Sequence, residues 1–178
     1  MQTNDFLLIN NIIYQIYSIS DFNLMKKTAG SILMAEQSNS QNILCDPICF
    51  PEEYIEVENN YLKYQKEDAA MWIIISKQCL LIRESDLIPE ATRLNSTIYQ
   101  KCYKPFNLHY NMQLTLVYDN LFLGVVTLYR TKEEGDFTQD DMFILRAFTD
   151  HLNLRFYNEY IKNKKTPAIE SNIPALAD

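Results

Sequence analysis

The sequence predicts an α+β fold built on an antiparallel sheet, and three neighbouring stretches predict it. Between residues 110 and 118, Tyr110, Met112, Leu114, Leu116 and Tyr118 alternate with Asn111, Gln113, Thr115 and Val117. A period of two marks a strand with one oily and one more polar face. Asp119 and Asn120 follow, a pair that tolerates the positive φ required by a two-residue hairpin turn. Residues 121–130 are then apolar on both faces, as in a strand covered from both sides. A two-residue turn sets Leu116 opposite Leu123, Leu114 opposite Val125 and Tyr110 opposite Tyr129. The third stretch is a long helix from Thr138, an N-cap with Asp141 at the capping-box position. Leu145, Phe148, Leu152 and Phe156 form one stripe, and Phe143, Ala147, Leu154 and Ile161 a second flank. A helix with two oily faces covers two surfaces, here the sheet and a second helix from this chain or a partner.

The elements upstream follow from local signals. Residues 4–17 read as a helix, with Leu8, Ile9, Ile12, Ile13 and Ile16 at helical spacing; a shorter helical piece follows from Ser20-Asp21. Residues 31–36 and 43–50 read as strands, the second placed at an edge or an end because Pro47 has no ladder donor. Pro51 opens a helix to about Asp68, with acids in its first turn and Tyr54, Val57, Tyr61 and Tyr64 three or four apart. Residues 71–76 fit either a helix end or a strand. Residues 79–83 read as a strand and 91–103 as mostly helix, which Lys104-Pro105 breaks. Beyond Lys162 periodicity fails, so residues 1–162 form one domain and 163–178 a linker or tail.

Bulk properties exclude several functions. The 178 residues are enough for one sizeable core, and only three are glycine, too few for a Gly-rich phosphate loop. Net charge is −7, and the 16 Lys and Arg are scattered apart from Lys162, Lys164 and Lys165. A duplex-binding surface needs clustered cations, so no nucleic acid is expected on this chain itself. The polar, acidic N-terminus does not resemble a secretory leader, and no apolar run approaches the roughly 20 residues needed to span a bilayer. The expectation is a cytoplasmic protein that binds no membrane. Its four cysteines lie below disulfide-framework density.

The run Leu123-Gly124-Val125-Val126-Thr127-Leu128, then Gly135-Asp136-Phe137-Thr138-Gln139-Asp140-Asp141 and a long helix, resembles the closing half of a GAF domain. Leu44-Cys45-Asp46-Pro47, Arg83-Glu84-Ser85-Asp86-Leu87 and Tyr103-Lys104-Pro105 resemble the sensor half of bacterial LuxR-type helix-turn-helix regulators. The resemblance implies a central antiparallel sheet of five to six strands. It puts the N- and C-terminal helices on one face and crossover segments or helices on the other. It also implies a small-molecule sensor, homodimeric through its terminal helices, whose DNA-binding output domain is absent from this chain.

The expected ligand site is the aromatic concentration Trp72, Tyr99, Tyr103, Phe106 and Tyr110, with Arg83 and Gln113 as polar partners. Which hairpin face meets it is left open. No metal site is expected: Cys45 and Cys49 make half a set, and His109 and His151 lie in separate elements. No catalytic constellation and no cofactor are expected. Two alternatives stand beside the sensor. One is a ligand-free dimerisation module of GAF type. The other is a GAF-type methionine sulfoxide reductase, for which Cys102, beside Lys101 and Lys104, and Cys79 are the thiols to consider.

Overall fold

The structure, a computed structural model, describes residues 29–35, 44–50, 52–76 and 78–165. The helices expected over residues 4–17 and from Ser20-Asp21, and most of the expected tail, lie outside the described residues. The fold is α+β. Strands β1 (Ala29–Ala35), β2 (Leu44–Phe50), β3 (Leu81–Arg83), β4 (Tyr110–Tyr118) and β5 (Leu121–Arg130) form one antiparallel sheet in the order β2-β1-β5-β4-β3. The β4–β5 hairpin lies inside the sheet, flanked by β1 and β3, and β2 with Pro47 is an edge strand as its missing donor requires.

The turn is as the sequence predicts: Asp119 and Asn120 have φ of 51° and 59°. The pairing beyond it differs by one residue. Tyr118 faces Leu121 and Val117 faces Phe122, but Leu116 then faces Gly124, Leu114 faces Val126 and Tyr110 faces Arg130. Leu123 is the extra residue of a β-bulge, a local insertion that turn length cannot reveal. Gly124 beside it has φ +151° and lies opposite Met34; a Cβ there would collide with the Leu33 carbonyl oxygen, so β1 closes onto β5 only over a glycine.

Between β2 and β4 the chain crosses one face of the sheet. It forms helices α1 (Ile55–Tyr64), α2 (Met71–Ile75), α3 (Glu84–Leu87) and α4 (Glu90–Leu94), then a π-helical turn at Tyr99–Tyr103. The stretch that fits either helix or strand is thus helix, and the mostly helical 91–103 is interrupted at Asn95 and Ser96. Asn107, with φ 58°, ends the 3-10 turn that holds Pro105 and redirects the chain into β4.

Helices α5 (Gln139–Ala147) and α6 (Thr149–Lys165) cover the opposite face. Thr138 caps α5 through the full capping box: its Oγ1 accepts from Asp141 N–H, and its own N–H donates to Asp141 Oδ2 at 2.7 Å. The single long helix read from the sequence is two. At Phe148 the backbone N–H bonds Leu145 O, a tightened turn, and the side chain is buried. No proline or glycine marks the break. Helix α6 runs three residues past Lys162.

The two faces of the sheet are built from different chemistry. Leu114, Leu116, Leu123 and Val126 meet Leu145, Leu152 and Phe156 of α5 and α6 in an aliphatic and aromatic layer. On the other face Leu33, Leu44, Val125 and Tyr129 meet Val57, Tyr61, Ile98 and Tyr103. That second layer also buries Ser31, Glu58, Asn111, Gln113 and Thr127. Among the described residues no helix is long and apolar enough to cross a membrane.

Candidate functional site

The polar layer follows from where α1 puts its side chains. Tyr54, Glu58, Tyr61 and Gln65 are spaced four, three and four apart, so they lie on one helical face and turn toward the sheet. Glu58 is 1% exposed. Its Oε1 accepts from Ser31 Oγ at 2.5 Å and from the Tyr129 hydroxyl at 2.6 Å, tying α1 to β1 and β5. Its Oε2 is buried and has no hydrogen-bond partner among the described residues. Burial pushes the Glu58 carboxyl above the ordinary glutamate value, and the Ser31 and Tyr129 bonds only partly oppose it.

A cavity of about 10 Å³ opens beside Glu58, enough for one water molecule. Tyr61, Tyr103, Gln113, Thr127 and Tyr129 line it, with Leu33, Leu44 and Val125. The face of β4 that meets it is therefore the odd-numbered one. Tyr61 and Tyr129 spend their hydroxyls on Asp68 and Glu58. Gln113, Thr127 and Tyr103 bring an amide and two hydroxyls to the lining beside Glu58.

Two further buried acids lie in the same layer. Asp68 accepts from the Tyr61 hydroxyl and from Ala70 N–H, both at 2.8 Å, and burial raises its carboxyl. Glu84 accepts from Asn111 Nδ2 at 2.7 Å, and burial pushes it up to about 7 against the opposing pull of Arg93. The Asn111 Oδ1 is buried without a partner among the described residues.

At the far end of β4 a second cluster surrounds Arg93, which is 2% exposed. Its guanidinium donates to the His109 carbonyl and stands 5.5 Å from the ring centres of both Tyr99 and Tyr110. The Tyr99 hydroxyl meets His109 Nδ1 at 2.9 Å. Burial and the nearby Arg93 charge hold the imidazole below its ordinary pKa, so it is neutral at physiological pH.

The seven residues expected at the ligand site are therefore dispersed. Tyr103 and Gln113 line the cavity. Tyr99 and Tyr110 pack around Arg93 and His109, and Phe106 is half-buried against the crossover layer. Arg83 is committed at the sheet edge, with both ends of Asp86 at 2.8 Å and the Phe137 carbonyl at 2.7 Å. Trp72, on the five-residue α2, is 56% exposed and lines no part of the cavity. Composition alone could not separate these roles, because it counts aromatics without the faces they occupy.

Glu58, Asp68, Glu84 and Arg93 escape a reading by type, since charged residues in helical windows read as solvated. One signal was available: Glu58 interrupts an otherwise apolar face of α1, which marks a buried polar group needing partners. Cys102 is fully buried, and burial pushes its thiol up to about 12, the reverse of the setting a reactive thiolate needs. Among the described residues no group of three His, Cys, Asp or Glu is arranged to hold a metal.

No family model and no curated protein matches this chain. Among solved structures it is similar to the GAF domain of a two-component sensor histidine kinase from Bacillus halodurans. The TM-score is 0.47 and the identity 18%, over 92% of this chain and 99% of that one.

Proposed function

We propose that this chain is a small-molecule-sensing, GAF-like regulatory domain. It has no catalytic activity of its own and works within a bacterial transcription regulator of the LuxR type, whose DNA-binding module lies outside these residues. The observation that carries the reading is the polar cavity under α1, walled in part by Glu58, whose buried Oε2 has no partner among the described residues. A packed core built only for stability pairs such groups or replaces them with hydrocarbon. A guest that engages Glu58 on α1 and Gln113 or Thr127 on the sheet bridges two layers, and so biases how they pack. It can do so only as far as it binds one packing better than the other.

A thermal-shift screen of small metabolites tests this, since a ligand in excess of its dissociation constant raises the melting temperature. Stabilisation by at least one compound, lost on Gln113→Leu, supports the sensor. No stabilisation by any compound overturns it. It then favours a ligand-free dimerisation module, the reading suggested by the water-sized cavity and by Phe143, 73% exposed on α5.

A further inference from the structure

Among the described residues the buried charged side chains are Glu58, Asp68, Glu84 and Arg93, three acids against one base. Their surroundings differ. Both oxygens of Asp68 have donors, and Glu84 has Asn111 as donor and the field of Arg93. Glu58 has two hydroxyls on one oxygen and, among the described residues, nothing on the other. A buried carboxylate oxygen without a donor carries the full cost of lost hydration. The missing partner can come from the cavity side, which the Gln113, Thr127 and Tyr103 side chains also line. Each of these four side chains is at least nine-tenths buried.

The missing partner can be specified. It is no larger than a water molecule, since the cavity holds about 10 Å³. It is a donor to the ionised form of Glu58, whose Oε2 then accepts. It carries positive charge, because a proton or a cation is what lets a buried carboxylate stay in place. The rings of Tyr61, Tyr103 and Tyr129 also line the cavity, and aromatic faces attract cations. A divalent ion does not suit the site: calcium takes six to eight oxygens and magnesium needs an octahedron, and one carboxylate cannot seed either. Water itself offers two donors. Ammonium is similar in size, carries the charge and offers four donors, to meet Glu58 Oε2, the Gln113 carbonyl oxygen and the two hydroxyl oxygens.

We infer that the cavity beside Glu58 is a binding site for ammonium, held by Glu58, Gln113, Thr127 and Tyr103. This deepens the sensor reading and rests on it. Occupancy supplies Glu58 with charge and donor together and fastens α1 to β4 and β5. When the cavity holds no cation, burial favours the protonated carboxyl, and one water takes the place.

The test uses the full chain in an amine-free buffer at pH 8, with melting followed against ammonium chloride and against sodium and potassium chloride at equal ionic strength. Ammonium is expected to raise the midpoint saturably above both, by about 3–6 °C at tenfold excess over its dissociation constant. Glu58→Gln is expected to remove that increment, and Glu56→Gln, on the exposed side of the same helix, to keep it. If Glu58→Gln does not fold, Thr127→Val, which removes one acceptor, is expected to weaken ammonium several-fold. Equal midpoints in the three salts overturn the assignment, as does an ammonium increment that survives Glu58→Gln or, where that variant does not fold, Thr127→Val. Potassium matching ammonium also overturns it, because N–H donors then play no part. If ammonium fails while another metabolite stabilises the protein, the sensor reading stands and this site falls; if nothing stabilises it, both fall.

Discussion

The two faces of the sheet share the same strands and were given opposite tasks. Under α5 and α6, Leu114, Leu116, Leu123 and Val126 pack against Leu145, Leu152, Phe156 and Tyr157, and no carboxyl or imidazole belongs to that cluster. Under α1 and the crossover, the alternate residues of β4 and β5 bring Asn111, Gln113, Thr127 and Tyr129 against Glu58, Tyr61 and Tyr103. Apolar contact is non-directional and insensitive to pH. A buried polar network is directional, depends on protonation and punishes every missing partner. Both faces bury hydrocarbon, but only the crossover face adds a buried polar network to it.

The largest expected effect tests the apolar face. Leu116 is fully buried, and Leu116→Ala removes hydrocarbon from a layer that cannot collapse around the gap, because the β4–β5 ladder fixes both strands. The expected loss is about 2–5 kcal/mol in urea unfolding. The same loss is expected at pH 5 and pH 8, since that layer contains no carboxyl or imidazole. A loss that changes strongly with pH would show the two faces to be coupled and would break the division drawn above.

The polar face has the complementary signature. Glu84 titrates near 4.5 when the chain is unfolded and at about 7 in the fold. The folded protein then holds more protons between those values, so the contribution of Glu84 to stability is greatest below about pH 4.5 and is lost as pH rises through 7. With 1.36 kcal/mol per unit, the fall amounts to about 3 kcal/mol. Glu58 and Asp68, raised by the same burial, act in the same direction. Urea midpoints at pH 5 and pH 8 are expected to lie closer together in Glu84→Gln than in the unaltered chain. An unchanged separation would remove Glu84 as its source.

How much of this the sequence disclosed depends on whether the signal was local. The hairpin turn was legible because positive φ at Asp119 and Asn120 is a property of those residues, and the Thr138 cap because Asp141 lies three positions on. The bulge at Leu123 was not, since it arises from how closely β1 approaches Gly124, a contact about 90 residues distant in sequence. The break at Phe148 is equally a product of packing. At the site, the alternation of β4 located Gln113 but could not choose its face, because the covering helix α1 precedes it by some 50 residues. Trp72 misled for the opposite reason: a large aromatic implies burial only when its element has a covered face to put it on, and on the short α2 that face is taken by Ile73 while Trp72 is 56% exposed.

The smallest expected effect on the fold concerns a third surface, the outer side of α5 and α6. Phe143 is 73% exposed, and Ile144 and Leu154 are 45% and 41% exposed. Single exposed hydrophobes are ordinary, but Phe143 and Leu154 belong to a flank that the sheet cannot reach, since Leu145, Leu152 and Phe156 already occupy that contact. If the flank serves only as surface, Phe143→Ser changes neither stability nor mass in solution. If it joins two copies of the chain, the substitution leaves monomer stability within about 0.5 kcal/mol, because nothing inside the fold is disturbed. It then weakens association by at least tenfold, as the loss of an aromatic anchor from an interface does. Sedimentation of the full chain over a range of concentrations separates the two cases. The expected outcome is a dimer in the unaltered protein and a monomer in Phe143→Ser; a strict monomer in both removes association through this flank and leaves the polar face to act within a single chain.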